Sequence, residues 1–304
     1  VSLRIPPTSG TNIPVPQNAA SIQNKGLELA TTYSDNIGEF NFNLGGNISF
    51  LSNEVLGLGE NIAPITAGIG STASQSRTDK GSEVAAFYGY NQIGIYQTEA
   101  EIAADDNADP NAQPGDFIYE DIDNSGALTL EDQKYLGSYI PDVEYGFTLD
   151  ANYKNWDINM IFNGVAGNEI YNNGRSRNLL NLNSNMTREA LDFWTPENTD
   201  AHLPRIGGGA NNNRVSSFHV ESGAYFRLRN VQIGYTLPKT ILDKLNVRKI
   251  RVYGSAQNLF TISDYSGYYP EVGRSFDDEL RVVDNNTWQH ALKLLSKCCT
   301  ISSN

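Results

Sequence analysis

The sequence of 304 residues predicts an all-β chain of long antiparallel strands. Apolar and polar residues alternate with a period of two over runs of up to about eleven residues, as they do when successive side chains point to opposite faces of a strand. Some of these runs are joined by very short turns, and others by excursions of dozens of residues. Aromatic residues also gather near the predicted strand ends. Together these observations favour an antiparallel outer-membrane β-barrel with long extracellular loops.

The first predicted hairpin follows an irregular start. Residues 1–24 contain four prolines and are expected to form an irregular connector or a partial strand. The alternation begins at Lys25, turns near residues 34–38 and resumes at residues 40–50. One face of this hairpin is apolar and the other is rich in Asn and Ser. The apolar face carries Leu27, Leu29, Tyr33, Phe40, Phe42, Leu44, Ile48 and Phe50, and the polar face carries Asn41, Asn43, Asn47 and Ser49.

Further strands are predicted along the rest of the chain. A second hairpin has its two-residue turn at Lys154-Asn155, and a change of parity between Leu228 and Val231 predicts a β-bulge. A helix-like patch lies around residues 186–194. The predicted strands are 84–97, 144–154, 156–162, 224–237 and 249–261.

The period-two pattern alone does not decide whether the apolar face contacts protein or lipid. In a soluble sandwich that face packs on a second sheet, whereas in an outer-membrane barrel it contacts lipid and the polar face lines a wet lumen. Strand length and the contrast between short turns and long loops favour the barrel. Aromatic girdles at both membrane interfaces fit the same prediction, although Tyr is also a good strand former. The candidate girdle residues are Tyr88, Tyr90, Tyr96, Tyr145, Tyr153, Trp156, Tyr225, Tyr235 and Tyr253.

Composition excludes several classes of protein. There are 22 basic and 35 acidic residues, a net charge of −13 that argues against nucleic-acid binding. No apolar run approaches the ~18–20 residues of a membrane helix. The only cysteines, Cys298 and Cys299, are adjacent and form neither a disulfide framework nor a spaced metal motif. A low charged fraction with abundant Gly, Asn and Tyr favours a secreted or envelope protein.

Catalytic motifs are missing from the sequence, so we predict that the chain is not an enzyme. His202, His219 and His290 are scattered and belong to no nucleophile or zinc motif. The glycines at 207–209 lack the Lys-Ser/Thr ending of a phosphate loop. The acidic pair at 277–278 is better read as solvated surface than as glycosidase carboxylates.

One segment carries explicit chemistry. Residues 121–132 place oxygen ligands at positions 1, 3, 5, 9 and 12 of a twelve-residue loop, with Gly126 at the sharp turn and an apolar Leu128 beneath. This is the spacing of an EF-hand-type calcium loop, although an acidic turn rich in Asx residues has the same letters. The flanking sequences do not resemble paired EF-hands, so we predict a structural Ca²⁺ site. Its expected ligands are Asp121, Asp123, Ser125, the Ala127 carbonyl, Thr129 and Asp132.

Seven phrases in collinear order resemble the C-terminal part of SusC/RagA-type TonB-dependent transporters of Bacteroidota outer membranes. Each phrase is weak alone, but their order over residues 25–271 is specific. The phrases are 24–29, 88–90 with 94–97, 114–116 leading into 121–132, 141–142 with 145–146, 193–198 with 203–205, 225–230 with 234–238, and 251–253 through 257–260 to 268–271.

The resemblance implies a plugged barrel of roughly 22 strands that imports glycans or peptides. It also implies a SusD-like surface lipoprotein as partner, and TonB acting through an N-terminal plug. At roughly 30 residues per strand and loop, this length supplies about eight to ten long strands, so we predict a barrel fragment without the plug. Residues 25–272 are assigned to the barrel. The resemblance stops near Gly273, and residues 273–304 are predicted to be an atypical tail, helical or disordered, that a frameshift would explain; a genuine alternative tail is the other reading.

The leading functional prediction is therefore part of an outer-membrane transporter in contact with lipid. Candidate ligand residues on the long loops are Trp194, Tyr171 and Asn172, since aromatic and amide groups stack on and hydrogen-bond with sugars. The same residues would also serve to hold a partner lipoprotein. The alternative is a soluble, calcium-stabilised glycan-binding or adhesin module, and a glycoside hydrolase is a third class.

Overall fold

The structure is a computed structural model that describes residues 20–59, 62–68, 74–175, 179–180 and 185–271. It also gives the backbone of residues 2–3, 15–16, 283–284 and 293–302. Most of the predicted connector at 1–24 lies outside the described residues, as do His290 and the acidic pair at 277–278.

Strands dominate the described residues, and the helices are short. Every helix in this part of the chain is too short or too polar to cross a bilayer. The strands are β1 (Ser2–Leu3), β2 (Val15–Pro16), β3 (Ala20–Ile37), β4 (Phe40–Leu58), β5 (Ile65–Ala67), β6 (Ser76–Thr78), β7 (Ala86–Tyr90), β8 (Gln92–Ile95), β9 (Phe117–Tyr119), β10 (Gln133–Gly137), β11 (Val143–Tyr153), β12 (Trp156–Ala166), β13 (Glu169–Asn172), β14 (Val220–Ser222), β15 (Tyr225–Thr236), β16 (Lys249–Ser263), β17 (Val283–Asp284) and β18 (Lys293–Ser302). The helices are α1 (Glu99–Ala104), α2 (Asn173–Arg175), α3 (Gly209–Asn212) and α4 (Lys239–Leu245), with 3₁₀ turns at Leu130–Asp132, Arg188–Asp192 and Ser217–His219.

The long strands form one antiparallel sheet in the order β18-β16-β15-β12-β11-β4-β3. Each strand from β3 to β16 pairs with the next long strand along the chain, the up-and-down connectivity of a barrel wall. Seven long strands are present in the described residues, against the eight to ten expected from length. The tail is not the predicted helix, because residues 293–302 form β18 and pair with β16.

Both predicted hairpins are present. Ile37 pairs with Phe40, so the first turn is Gly38-Glu39, at the end of the predicted turn region, and Gly38 has a left-handed φ of 64° that suits glycine. Tyr153 pairs with Trp156 across the predicted two-residue turn Lys154-Asn155. These short turns lie at one end of the sheet, which we call the turn end; the opposite end is the loop end.

The predicted bulge is also present. Leu228 and Asn230 pair with the adjacent residues Phe162 and Ile161 of β12, which leaves Arg229 as the extra residue in that ladder. Against β16 the register also shifts here, with residues 258 and 259 opposite Arg229. Side chains before and after this point therefore keep the same faces despite the change of parity.

One face of the sheet is apolar and lies uncovered by any other described layer of the chain. Thirteen of its large side chains are between 37% and 66% exposed, whereas a sandwich core would bury them. We call this the outer face and the opposite, polar face the inner face. The exposed outer-face residues are Leu27, Leu29, Tyr33, Ile37, Phe40, Phe50, Phe147, Tyr153, Trp156, Ile233, Val252, Phe260 and Ile262.

The long connections at the loop end fold together into a loop domain, defined as residues 59–142, 167–224 and 264–271. Its core contains Phe117, Tyr119, Phe193, Leu203 and Phe218. This domain contradicts the prediction of one long strand at residues 84–97, because that segment divides into β7 and β8, which pair only within the loop domain. The helix-like patch at 186–194 is a 3₁₀ turn.

The candidate girdle residues accordingly divide into groups. Tyr153, Trp156 and Tyr235 lie at the turn end on the outer face, as a girdle requires, and the rings of Trp156 and Tyr235 are 4.8 Å apart. Tyr90 and Tyr96 are buried in the loop domain. The remaining candidates also separate: Tyr145 lies on the outer face at the loop end, Tyr88 belongs to β7, and Tyr225 and Tyr253 lie on the inner face.

Candidate functional site

The inner face carries a hydrogen-bonded row of polar side chains. Asn159 on β12 donates from Nδ2 to Asp150 Oδ1 on β11 at 2.6 Å. Asn230 on β15 donates from its own Nδ2 to Asn159 Oδ1 at 3.2 Å. This row crosses three neighbouring strands, directly from Asp150 to Asn159 and diagonally from Asn159 to Asn230. It fixes the side chains while leaving lone pairs and N–H groups for water or a polar ligand.

Nearer the turn end, the inner face holds an ion pair. Arg251 on β16 donates from Nε to Asp157 Oδ1 at 2.9 Å, and its Nη2 donates to Oδ2 of the same carboxylate. This bidentate contact spans β12 to β16, across β15. The inner wall is thus polar along its length, as expected for a water-filled interior.

At the loop end, a guanidinium cluster joins the inner wall to the segment after β16. Arg227 is only 2% exposed and donates from Nε to Thr261 Oγ1 at 3.0 Å and from Nη1 to Glu271 Oε2 at 2.8 Å. The hydroxyls of Tyr225 and Tyr269 donate to the same carboxylate at 2.6 and 2.9 Å. The guanidinium carbon lies 4.6 Å from the Tyr225 ring centre and 4.3 Å from that of Tyr269. We call these five residues the Arg227 clamp.

The Arg227 clamp also determines the charge of its carboxylate. Burial alone would raise the pKa of Glu271, but the hydrogen bonds donated by Tyr225, Arg227 and Tyr269 outweigh it, so the pKa lies below its usual value. Sequence reasoning missed this cluster. Arg227 and Glu271 are 44 positions apart, and no local pattern links them.

A second buried ion pair holds the loop domain together. Asp116 is 1% exposed and accepts from Arg205 Nε at 2.7 Å and from Arg205 Nη2 at 3.2 Å. Asn212 Nδ2 donates to the same carboxylate at 3.0 Å. Segments almost one hundred residues apart are thereby fixed to one another, so the loop domain is a packed unit rather than a set of independent loops.

The structure places the three candidate ligand residues in different roles. Trp194 is 8% exposed and donates from Nε1 to Gln97 Oε1 at 2.8 Å, and Tyr171 is 3% exposed in a second small core. The expectation that these two aromatic residues are exposed is therefore wrong, because the long loops bury their own aromatic residues; their role as ligand contacts stays a prediction. Asn172 donates to Glu221 and Ser266 and lines a pocket of about 230 Å³.

The pocket beside Asn172 is polar and open at the surface of the loop domain. Arg175, Glu189 and Tyr268 also line it, with Arg175 Nη2 donating to Glu189 Oε1 at 2.9 Å. It offers donors, acceptors and one exposed aromatic ring, and it is therefore the candidate polar-ligand site of the loop domain.

The acidic loop at 121–132 closes on itself as the motif requires. Carboxylate oxygens of Asp121, Asp123 and Asp132 all lie within 4.8 Å of one another. Backbone N–H groups orient them: Gly126 donates to Asp121 Oδ2 at 2.9 Å, and Ile122 donates to Asp132 Oδ1 at 2.9 Å. Leu128 packs against the loop-domain core, as predicted.

The donor set of this loop fits a hard cation. Asp132 is buried, which alone would raise its pKa, but backbone N–H groups of Thr129, Ile122 and Asp123 lower the pKa below its usual value and keep the group ionised. In the described part of the chain, no basic side chain pairs with any of the three carboxylates. The oxygens of Asp121 and Asp123 accept at most one hydrogen bond each and so keep a lone pair for a cation, whereas each Asp132 oxygen already accepts two.

Comparison with known proteins accounts for this combination of a two-faced sheet and a folded loop domain. No family model matches the chain. TonB-dependent receptor P3 of Formosa agariphila is 32% identical over 289 residues, which cover 92% of this chain and 28% of that receptor. TonB-dependent receptor SusC of Bacteroides thetaiotaomicron is 25% identical over 91% of this chain and 27% of its own length. The chain is homologous to the SusC/RagA-type TonB-dependent receptors.

Solved structures agree on the fold. The RagAB peptide transporter superposes with a TM-score of 0.72 at 21% identity, over 90% of this chain and 29% of that one. The RagAB peptide importer in its "open-open" state gives a TM-score of 0.71. This homologue of the TonB-dependent receptors is therefore an antiparallel outer-membrane barrel segment spanning less than a third of such receptors. Its relatives are receptors and transporters rather than enzymes, as predicted.

Proposed function

We propose that this chain forms part of the wall and the extracellular mouth of a TonB-dependent importer of oligomeric nutrients, either oligosaccharides or peptides. The observation that carries the proposal is the two-faced sheet, whose apolar outer side is exposed and whose inner side is a hydrogen-bonded polar row. A soluble adhesin would have to cover the outer face, so the same observation argues against that alternative.

The inner row and the loop-domain pocket support a polar, extended substrate. Asp150, Asn159 and Asn230 present amide and carboxylate groups that match sugar hydroxyls and peptide amides alike. One structural neighbour is described as a peptide transporter, which supports peptides as one of the two substrate classes.

Uptake of fluorescent oligosaccharides and fluorescent peptides by cells that carry the intact protein tests this proposal. We expect uptake of one class, abolished by a protonophore because TonB-driven import consumes the proton gradient. N159L, which removes an inner-face hydrogen-bonding side chain, is expected to lower uptake several-fold, whereas the outer-face control I158L leaves it unchanged. Uptake of neither class, or uptake that a protonophore leaves intact, would contradict the proposal.

We also propose that a SusD-like surface lipoprotein docks on the loop domain. Leu191 and Leu130 are 82% and 73% exposed on this domain, and exposed apolar side chains of that size are typical of interaction sites. Co-purification of the intact protein with a SusD-like lipoprotein tests the docking. L191E is expected to reduce the recovered partner, and T240E, at the turn end, serves as the charge-matched control.

The acidic loop is proposed to bind Ca²⁺ as a structural ion. Carboxylates at positions 1, 3 and 12 would neutralise the ion and fix the loop against the core through Leu128. The proposed ligands are Asp121, Asp123, Ser125, the Ala127 carbonyl, Thr129 and Asp132.

Isothermal titration of the intact protein with CaCl₂ tests the calcium site. D121N is expected to abolish the binding heat because it removes a ligand charge. E131Q removes one charge from the same loop at an exposed side chain that belongs to no ligand position, and is expected to bind as the unmodified protein does. Absence of binding heat from the unmodified protein would contradict the proposed calcium site.

A further inference from the structure

The connection between β15 and β16 differs from the other turns at the turn end. Gly38-Glu39 and Lys154-Asn155 are two-residue turns, whereas residues 237–249 contain the helix α4. Lys239, Lys244, Arg248 and Lys249 lie in this segment with a single acidic residue, Asp243. We call residues 237–249 the basic turn.

The basic turn carries a net positive charge, whereas the rest of the chain carries a net negative charge. Its four cationic side chains are all exposed, and none forms an ion pair with a carboxylate among the described residues. The loop-end segment 59–142, by contrast, holds fifteen acidic and three basic residues within a chain of net charge −13. The cations of the turn end are thus separated from most of the acidic groups by the height of the sheet.

The helix α4 adds an exposed apolar pair to these charges. Ile241 and Leu245 lie four positions apart and therefore on one side of the helix, and they are 44% and 53% exposed. Leu242 points the other way and is 7% exposed, which anchors the helix to the protein. Asn246 ends the helix in a left-handed conformation with φ of 54°.

The basic turn is continuous with the lipid-facing surface. Tyr235, two residues before it, packs against Trp156 at the aromatic end of the outer face. Val252, three residues after it, is 46% exposed on the same face and pairs with Tyr235. The segment therefore leaves and re-enters the sheet at the level where acyl chains give way to headgroups.

We propose that the basic turn binds anionic phospholipid headgroups of the periplasm-facing leaflet. Ile241 and Leu245 enter the boundary of the acyl chains, and Lys239, Lys244 and Arg248 reach the phosphates. Basic side chains beside a short apolar helix face are the combination that interfacial lipid binding requires. The proposal rests on the outer-membrane location of the chain and not on the identity of the imported substrate.

Native mass spectrometry of the intact protein in neutral detergent tests the assignment, with phosphatidylglycerol and phosphatidylcholine of equal acyl chains as probes. The unmodified protein is expected to retain phosphatidylglycerol preferentially. Each removed charge is expected to weaken that binding about fivefold, so K239Q/K244Q weakens it about 25-fold. K239R/K244R keeps the charges and is expected to keep the preference.

The matched control is K80Q/R188Q, which removes two exposed cations from the loop domain and is expected to leave phosphatidylglycerol binding unchanged. I241S/L245S is expected to weaken the binding of both lipids, because it removes the shared apolar contact. Equal retention of the two lipids by the unmodified protein would overturn the proposal, as would equal phosphatidylglycerol affinity in K239Q/K244Q and K80Q/R188Q. No nutrient is present, so the result is independent of which substrate is imported.

Discussion

Replacing Phe147 by arginine is expected to destabilise the folded protein in a bilayer by about 3–5 kcal/mol. Phe147 lies near the middle of β11 on the outer face and is 41% exposed in the chain alone. An arginine on the lipid face near the bilayer midplane costs about 2–4 kcal/mol. Loss of the contact with the Phe162 ring, 5.9 Å away between centres, adds about 0.5–1.5 kcal/mol.

The neighbouring residue provides the control. Thr148 is at the same height on the inner face, where an arginine would meet water and the Asp150 carboxylate two positions along the strand. T148R is therefore expected to change stability by less than about 1 kcal/mol, since lumen substitutions are tolerated. Urea unfolding of the intact protein from phospholipid vesicles, followed by tryptophan fluorescence, measures both variants. A T148R cost equal to or above that of F147R would refute the assignment of the two faces.

Three further predictions concern the loop domain and the wall. Burial, together with nearby Arg175, lowers the pKa of His219 to about 3. The contribution of the neutral His219 to the free energy of unfolding is therefore fully present above pH 6.5, and about 2 kcal/mol of it is lost by pH 5, because the unfolded chain takes up the proton there. H219Q should flatten this pH dependence in denaturant titrations, and an unchanged pH dependence would contradict the prediction. R205A leaves the buried Asp116 carboxylate without its ion-pair partner, which should lower the stability of the loop domain by about 3–5 kcal/mol. The protease resistance of the loop domain should fall accordingly, and resistance equal to that of the unmodified protein would contradict the prediction. G164A places a Cβ 2.5 Å from a backbone carbonyl oxygen, so the thermal midpoint should fall, and an unchanged midpoint would show that the strands move apart freely.

Local sequence patterns predicted the barrel wall well. The hairpin from Lys25, the turn at Lys154-Asn155 and the bulge at Arg229 all follow from period-two alternation, which depends only on neighbouring residues. The strand at 293–302 was not predicted because that segment has no clear alternation. It forms a strand through its backbone pairing with β16.

Local sequence patterns could not predict the loop domain, because its contacts join residues that are distant in the chain. Its aromatic residues resemble barrel girdles or ligand contacts in sequence, but Trp194, Tyr171 and Tyr90 are buried by segments distant in the chain. The acidic loop is the exception, since its oxygen spacing and Leu128 are local and the three carboxylates converge as expected. The Arg227 clamp depends on a contact between distant residues and left no local signal.

The Arg227 clamp limits how the segment after β16 can move relative to the sheet. The segment at 264–271 is tied to the wall by a nearly inaccessible guanidinium, three acceptor contacts on one carboxylate and two flanking aromatic rings. Outward movement of that segment would leave the buried Arg227 guanidinium without its counter-ion. Any movement of residues 264–271 away from β15 and β16 therefore requires the ion pair between Arg227 and Glu271 to break.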